Sequence, residues 1–455
     1  MPLVESFSGI RGIFDKTLTE EVAVRYALSY FNFLQDKFKK KQLKIVIGTD
    51  TRPSRNNLKN AVIEALNCEI IDLGAASTPA IELAVRHYKA DGGIIITASH
   101  NEPYWNGFKF LDKDGAVLRP KDMEKVIKLY HSKKEFKING TKKIIRKYKE
   151  INELYPDFVL SFLTKKDIES IRNSNIKIII DPNGGTGIIA KNILEKIGVK
   201  VIGINMRYGI FNRTIEPNFD SLYYLKGMIN GKKAAFAAAF DCDADRIELV
   251  LPSGRLVSGH YLLALVVDDI LSKNGTVVTN DATSNIVKDV VKKNNGKLIE
   301  VDVGEINVAD EMHKQKSRVG GEGSSGGVIV NPSKCRDGIL TLLYILKIIA
   351  KKQKTLQEIL NEYPRYYTLA SKIEFDPKNY NKIRKHIKDH YNDHKIVEKK
   401  LSESMKILIN NHSFVWFRAS KTESNVFRII ADSTSLKEAQ LILDIGKKLL
   451  KNADG

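Results

Sequence analysis

Three aspartates stand at alternate positions in Asp241-Cys242-Asp243-Ala244-Asp245-Arg246, directly after the apolar run Ala234–Phe240. In an extended backbone alternate side chains share a face, so the three carboxylates are predicted to converge. Carboxylates at such short distances repel one another unless a cation neutralises their charge. A site whose ligands are all oxygen atoms suits Mg²⁺. An acidic solvated loop is the alternative. Because open α/β sheets bind ligands where their strands end, the position of the triplet favours a Mg²⁺ site.

A serine follows another apolar run. Ser99 lies in Thr97-Ala98-Ser99-His100-Asn101, just after Ile94–Ile96, where it can act as a nucleophile or phosphoryl carrier. Taken alone, the segment is better explained by an Asx or ST turn or a helix cap. Neighbouring Ser and His side chains point apart and no Gly-x-Ser-x-Gly elbow is present, so a hydrolase triad is not indicated. Lys109 is close enough downstream to return to the same site.

Two later segments have the composition of a sugar or phosphate site. Gly320–Gly327 is rich in glycine but lacks the Gly-Lys-Ser/Thr of a Walker loop; Glu322 and Ser324 within it could hold sugar hydroxyls. The segment Arg418–Glu423 supplies a guanidinium, two hydroxyls and an ammonium, which suits a phosphate. An exposed basic hairpin end explains this second segment equally well without further context.

A histidine series has a simpler explanation. His386, His390 and His394 are four residues apart and could share a helix face. No carboxylate ligand or catalytic motif accompanies them, so a solvated helix face is predicted rather than a metal site.

The elements that position these segments alternate between helix and strand, which predicts an α/β fold with largely parallel sheets. Thr19 can cap a helix whose apolar face includes Tyr26 and Tyr30. From about residue 370 the pattern changes: Ile407–Ile409 and Phe414–Phe417 read as a hairpin, and Leu436–Leu450 as a closing amphipathic helix. The sequence therefore predicts three α/β domains followed by an α+β domain.

Length and composition agree with several soluble domains. The 455 residues are 43% hydrophobic and 28% charged, enough for about three or four domains. No apolar run is long enough to span a bilayer, the start is no signal peptide, and the three cysteines lack paired spacing. A cytoplasmic protein is expected. The net charge of +19 could favour the binding of nucleic acid. Because the lysines are spread along the chain, however, no nucleic-acid partner is predicted.

In this order, the segments resemble the α-D-phosphohexomutases, which include phosphomannomutase/phosphoglucomutase and phosphoglucosamine mutase. The resemblance covers essentially the whole chain. It also includes three segments near the start, which are Ser8-Gly9-Ile10-Arg11-Gly12, Gly48–Ser54 and Ser77-Thr78-Pro79. It implies four domains around one deep cleft, with boundaries at 1–148 (phosphoserine), 149–251 (metal), 252–366 (sugar) and 367–455 (phosphate).

The resemblance also implies roles for individual residues. Ser99 would carry the phosphoryl group and act as a further ligand of Mg²⁺ beside the aspartate triplet. Arg11 and Lys109 would flank the reacting phosphate, with Lys109 or His100 as the acid/base group. The residues implied to contact the substrate are Arg246, Glu305, Glu322, Ser324, Arg418, Ser420, Lys421 and Thr422. A hexose 1,6-bisphosphate would be the intermediate and activator, a phosphorylated hexose the substrate, and the enzyme a monomer or homodimer.

Some positions depart from the family pattern and leave the sugar open. Glu102 stands where proline is usual and Lys421 where Asn or Gly is commoner. The sugar loop continues Ser325-Gly326-Gly327, with no histidine after the glycine as in many members. Glu305 lies where members differ by sugar, so glucose and mannose phosphates are only slightly preferred over glucosamine phosphate. The rival of another class is a haloacid-dehalogenase-type phosphatase, in which Asp241 would be the nucleophile and Asp243 the acid/base.

Overall fold

A computed structural model of the chain describes residues 3–132, 136, 140–420 and 425–454. The chain forms two compact units. The first contains Met1–Ser258 and Gly326–Leu356, and the second contains Gly259–Ser325 and Gln357–Gly455. Each unit is built from the alternating elements that the sequence predicts, followed in the second unit by the antiparallel C-terminal domain.

The described residues up to Arg146 form one mixed sheet and its helices. The strands are β1 (Val4–Ser6), β2 (Gly9–Ile13), β3 (Lys44–Thr49), β4 (Glu69–Ala75), β5 (Gly92–Ile96), β6 (Trp105–Asp112) and β7 (Lys143–Arg146). The helices are α1 (Glu20–Phe38), α2 (Arg55–Ala65), α3 (Thr78–His87) and α4 (Pro120–His131). The predicted cap of α1 is confirmed, because the side chain of Thr19 accepts from the Val22 N–H.

The strand order in this sheet is β1-β2-β6-β5-β3-β4-β7. Strands β3 and β5 are parallel, with Thr49 opposite Ile96, whereas β6 is antiparallel to β5, with Lys109 opposite Ile95. Since β3 and β5 end at the same edge of the sheet, the loops that follow them meet there.

A second sheet lies in the same unit. Its strands are β8 (Lys177–Asp181), β9 (Lys200–Gly203), β10 (Ala237–Phe240), β11 (Ile247–Val250) and β12 (Leu256–Val257). The helices are α5 (Tyr148–Leu160), α6 (Lys165–Asn173), α7 (Ala190–Lys196), α8 (Phe219–Leu222) and α9 (Leu225–Lys232). The order is β12-β11-β10-β8-β9, with β10 parallel to β8 and antiparallel to β11. The aspartate triplet lies in the tight connection from β10 to β11.

The third group of elements spans residues 259–360. Its strands are β13 (Thr276–Asn280), β14 (Lys297–Val301), β15 (Val319–Gly321) and β16 (Val328–Val330). Its helices are α10 (Gly259–Ile270), α11 (Asn285–Lys293), α12 (Glu305–Gln315), α13 (Gly338–Lys352) and α14 (Leu356–Leu360). In the second unit β13 pairs in parallel with β14 and β15. In the first unit α13 packs on α6.

The C-terminal domain is a five-stranded antiparallel sheet with two helices. It consists of β17 (Tyr367–Glu374), α15 (Tyr380–His390), β18 (Lys395–Glu398), β19 (Met405–Leu408), β20 (Phe414–Ala419), β21 (Val426–Ser433) and α16 (Leu436–Asp454). The order is β17-β21-β20-β19-β18. The predicted hairpin is confirmed, with Leu408 opposite Phe414. The three α/β domains and the α+β domain are therefore confirmed as a fold class, while the exact domain boundaries stay predictions.

Two further expectations concern surfaces. α15 ends at His390, so the half-buried His386 and the exposed His390 lie on this helix but His394 lies beyond it. The expectation of one face shared by three histidines is wrong, because a turn follows His390 before β18 begins. Within the described ranges, no helix combines the length and apolar character that crossing a bilayer requires.

Candidate active site

Ser99 lies in the loop three residues after β5, with its backbone in the left-handed region at φ 50°. Its side chain is buried, with 1% of the residue exposed. The Ser99 hydroxyl donates to Asp241 Oδ2 over 3.0 Å, and its N–H donates to Thr97 Oγ1 over 2.9 Å. The structure therefore joins the predicted phosphoserine loop to the predicted metal loop.

The aspartate triplet converges, although not for the reason that the sequence suggests. Asp241, Asp243 and Asp245 each offer a carboxylate oxygen within 4.8 Å of the others, and all three are buried. The segment is a turn rather than an extended strand, and Ala244 has φ 56°. The prediction that strand alternation brings the carboxylates together is thus wrong, because a left-handed residue folds the backbone so that all three face inward.

Cations and a hydroxyl surround the triplet. Lys109 Nζ, on β6, lies 2.8 Å from Asp243 Oδ2 and 3.1 Å from Asp245 Oδ2. Arg336 Nη2 lies 3.2 Å from Asp245 Oδ2. The Thr78 hydroxyl, at the start of α3, donates to Asp243 Oδ2 over 2.6 Å. The two cations neutralise part of the negative charge of the triplet, and the hydroxyl donates a hydrogen bond to it. Both effects offset the cost of burying charged carboxylates.

The Asp241 and Asp245 carboxyl groups respond differently to this environment. Burial, and then the charges of Asp245 and Asp243, raise the pKa of Asp241 well above its ordinary value. Burial alone would also raise the pKa of Asp245, but Lys109, Arg336 and Arg246 outweigh it and lower that pKa. The neighbouring cations therefore favour the charged form of Asp245, whereas burial and the adjacent carboxylates disfavour that of Asp241.

The other predicted catalytic groups lie in the same region. Arg11 Nη1, on β2, donates to Asn101 Oδ1 over 2.8 Å. Burial and the charge of Arg246 lower the pKa of Arg11 to about 10. His100 has a buried Nδ1 with no hydrogen-bond partner among the described residues. Burial, then Arg246 and Arg11, hold the pKa of His100 well below its usual value.

The residues present fit a divalent cation with oxygen ligands. Asp243 Oδ1 and Asp245 Oδ1 are buried and find no hydrogen-bond partner in the described part of the chain. Buried carboxylate oxygens without a donor are unfavourable unless an ion coordinates them. The donor set contains only oxygen, which matches the preference of Mg²⁺.

The predicted sugar and phosphate residues belong to the second unit, apart from Arg246, which lies 3.3 Å from Glu216 Oε1 in the first. Glu322 is buried, and its Oε1 accepts from Asn280 Nδ2 at 2.9 Å and from the Gly304 N–H at 2.8 Å. Glu305 begins α12 directly after Gly304. Glu322 thus fixes the loop that carries Glu305.

The rest of the predicted phosphate segment follows β20. Arg418 lies near the end of that strand. Burial lowers the pKa of Arg418, and the negative charge of the nearby Glu322 opposes this shift. Ser324 is exposed, and Ser420 is half-buried. Lys421 and Thr422 lie outside the described residues.

Two residues of the site have no role that the sequence predicts. Arg336 directly precedes the Asp337 cap of α13, and neither its type nor its spacing connects it with Asp245. Thr78 belongs to a segment that carries the family resemblance, but the resemblance implies no role for it. Its position in Ser77-Thr78-Pro79, a helix start, was the available signal.

The two glycines after Ser325 lie against the metal loop. Gly326 and Gly327 have φ 58° and 80°. A Cβ on Gly327 would lie 2.2 Å from the Asp245 carbonyl oxygen, and one on Gly326 2.3 Å from that of Ile247. Only glycine allows this approach. The pair therefore packs on the metal loop.

Three family models match the chain. They are described as phosphoglucomutase/phosphomannomutase, alpha/beta/alpha domains I, II and III, and match residues 5–137, 154–254 and 258–367. The chain belongs to the phosphoglucomutase/phosphomannomutase family. It is therefore a phosphomutase, an isomerase that transfers phosphate within a hexose, and the haloacid-dehalogenase-type alternative is excluded.

Relatives and solved structures agree with this family assignment. A phosphoglucomutase/phosphomannomutase of Thermococcus kodakarensis is 32% identical over 98% of each chain. A phosphoglucosamine/phosphogalactosamine mutase of Sulfurisphaera tokodaii is 28% identical over 81% of this chain and 82% of that one. A family member from Burkholderia thailandensis has the same fold, with a TM-score of 0.82 at 20% identity, covering 99% and 97% of the chains. Phosphohexomutases named for different sugars thus resemble the chain.

Proposed function

We propose that the enzyme interconverts hexose 1-phosphate and hexose 6-phosphate through a phosphoserine at Ser99, with glucose and mannose phosphates preferred. The observation that carries the proposal is the 3.0 Å hydrogen bond from Ser99 Oγ to Asp241, within a buried carboxylate triplet. A buried serine among carboxylates and cations has the surroundings that a phosphoryl carrier requires.

Asp241, Asp243, Asp245 and an oxygen of the phosphorylated Ser99 would hold Mg²⁺. When bound, Mg²⁺ would neutralise charge on the transferring phosphoryl oxygens. Support comes from the two triplet oxygens that find no donor in the described ranges. A related fold, the N-acetylphosphoglucosamine mutase of Aspergillus fumigatus, was solved with GlcNAc-6P and magnesium, at a TM-score of 0.61 and 14% identity.

The chain's own groups would orient the phosphate and move the proton. Arg11 and Lys109 supply positive charge beside Ser99. The sugar hydroxyl oxygen bonds to phosphorus as the bond from phosphorus to Ser99 Oγ breaks, and the hydroxyl proton passes to His100 or Lys109. The buried, unpartnered Nδ1 of His100 supports its role. A hexose 1,6-bisphosphate results, and it returns its other phosphate to Ser99.

The roles proposed for the remaining residues concern the substrate. Arg246, Glu305, Glu322 and Ser324 would bind the sugar, and Arg418, Ser420, Lys421 and Thr422 the phosphate that is not transferring. Glucosamine phosphate is a second candidate substrate, because a relative named phosphoglucosamine/phosphogalactosamine mutase matches four-fifths of the chain.

A coupled mutase assay with Mg²⁺ and a trace of hexose 1,6-bisphosphate tests the proposal. Glucose, mannose and glucosamine phosphates are offered in parallel, and Ser99→Ala is the matched variant. We expect isomerisation that Ser99→Ala abolishes, fastest with glucose or mannose phosphate. Isomerisation unaffected by Ser99→Ala would contradict the phosphoserine, and a clear preference for glucosamine phosphate would replace the proposed substrate.

A further inference from the structure

Arg52 is a completely buried arginine in the loop between β3 and α2, with none of its surface exposed. Its Nε lies 2.9 Å from Asp50 Oδ2, and this carboxylate is equally buried. A buried ion pair brings little net stability compared with apolar packing. The pair therefore calls for an explanation beyond stability of the core.

The remaining N–H groups of the Arg52 guanidinium donate to carbonyl oxygens of one short loop. Nη2 donates to the carbonyl oxygens of Ser99 at 2.7 Å and Asn101 at 2.6 Å. Nη1 donates to those of Glu102 at 2.6 Å and Trp105 at 3.1 Å. With Asp50, these contacts match the five N–H donors that a guanidinium has. All four carbonyls lie within residues 99–105.

Asp50, the ion-pair partner of Arg52, is also connected to this loop, through Thr97. Asp50 Oδ2 accepts from the Thr97 hydroxyl at 2.7 Å, and Thr97 Oγ1 accepts from the Ser99 N–H at 2.9 Å. The N–H and the C=O of Ser99 are thus both tied to the Arg52–Asp50 pair. Such a hold is needed because a non-glycine residue with φ 50° is in a sparsely populated region.

We infer that Arg52 is a positioning residue of the phosphoserine loop, which fixes the backbone of Ser99 so that its hydroxyl faces the aspartate triplet. The inference rests on the proposed function. Arg52 has no exposed surface with which to touch a sugar. Its effect must therefore pass through the loop, and phosphoryl transfer depends on in-line placement of the attacked group.

The test compares Arg52→Lys with Arg25→Lys. Lysine keeps the charge but has three donors on one nitrogen, so it cannot bridge four carbonyls. Arg25 is a matched control in the same domain, because its guanidinium donates to the carbonyl oxygens of Tyr130 and Ser132 near the end of α4. We expect Arg52→Lys to lower kcat about 100-fold. KM for the hexose 1-phosphate should change less than about threefold, since no substrate contact is lost.

A second variant keeps the test independent of how well Arg52→Lys folds. Thr97→Val leaves Arg52 in place and removes the bond to the Ser99 N–H, and about a tenfold fall in kcat is expected. Hydrogen exchange of the 97–105 peptide should be faster in both variants and unchanged in Arg25→Lys.

Three outcomes would overturn the inference. An active wild type with unchanged kcat in Arg52→Lys and Thr97→Val would contradict it and leave the proposed function standing. Equal losses in Arg52→Lys and Arg25→Lys would reduce Arg52 to a fold-stabilising residue. A wild type without mutase activity would contradict the proposed function itself, and this inference with it.

Discussion

The hydroxyl of Ser99 donates to Asp241 Oδ2 over 3.0 Å, although 142 positions separate the two residues in the chain. Ser99 lies in the loop after β5 of the first sheet, and Asp241 directly follows β10 of the second. Two sheets therefore meet through the side chains that the proposed chemistry uses.

We expect Asp241→Asn to abolish the response of the protein to Mg²⁺ without destabilising the metal-free form. The neutral amide keeps an oxygen for Ser99 and relieves the repulsion that, with burial, raises the pKa of Asp241. In EDTA, the unfolding temperature of Asp241→Asn should equal or exceed that of the wild type. Mg²⁺ at one hundred times its Kd should stabilise the wild type by about 2.7 kcal/mol and leave the variant unchanged. An equal Mg²⁺ response in both proteins would place the ion elsewhere.

We expect Arg336 to compete with a bound cation for Asp245. Its Nη2 lies 3.2 Å from Asp245 Oδ2, where it lowers the pKa of that carboxyl together with Lys109. We expect Arg336→Met to shift half-maximal activation to a lower Mg²⁺ concentration while the maximal rate falls about tenfold or more, because one positive charge leaves the site. Magnesium titrations of initial rate measure both effects.

Arg119→Met is the control for Arg336→Met. Arg119 forms an ion pair with Asp114 at 2.7 Å in the first domain and is partly exposed. Its removal should change neither the maximal rate nor the Mg²⁺ requirement, since exposed pairs contribute at most about 1 kcal/mol. A higher Mg²⁺ requirement in Arg336→Met would contradict the competition.

Asp337, the cap of α13, should make stability depend on pH. Its Oδ1 accepts from the Tyr155 hydroxyl at 2.8 Å and from the Leu340 N–H at 2.9 Å. Burial raises the pKa of Asp337 to about 6, whereas an unfolded aspartate has a pKa of about 3.9. The folded state therefore holds its proton more tightly, and ionisation between pH 4 and 6 costs about 3 kcal/mol of stability.

Asp337→Asn removes this ionisation but keeps the accepting oxygen. Relative to the variant, the wild type should lose about 3 kcal/mol as the pH rises from 4 to 7, with no further change above. Urea unfolding of both proteins at several pH values measures the difference. A constant difference across this range would show that Asp337 ionises with an ordinary pKa.

Glu322→Gln should weaken substrate binding without affecting the fold. The amide keeps the oxygen that accepts from Asn280 and from the Gly304 N–H, so the unfolding temperature should stay unchanged. A charged hydrogen bond to a sugar hydroxyl contributes about 1.5–3 kcal/mol, which predicts a rise in KM of about 10- to 100-fold. Asp310→Asn, on the same helix as Glu305, is the control. An unchanged KM would remove Glu322 from the sugar site.

Several features were accessible from sequence because each depends on local chemistry. Apolar runs ending in polar segments predicted the strands before Ser99 and Asp241, and a threonine before an amphipathic run predicted the start of α1. The order of the motifs then indicated the family. Such signals lie within a few neighbouring residues, so no knowledge of distant contacts was needed.

Other features depend on contacts between distant parts of the chain. The left-handed Ala244 makes the aspartates converge, and nothing in an alternating acidic segment announces that turn. Arg336 reaches Asp245 across 91 positions. Arg52 bonds to a loop about fifty residues later, where its partners are backbone carbonyls that any residue type supplies. Sequence therefore indicated most of the groups that are proposed to carry the chemistry. The tertiary structure decided how they are held, because burial and hydrogen bonding join residues without regard to their spacing in the chain.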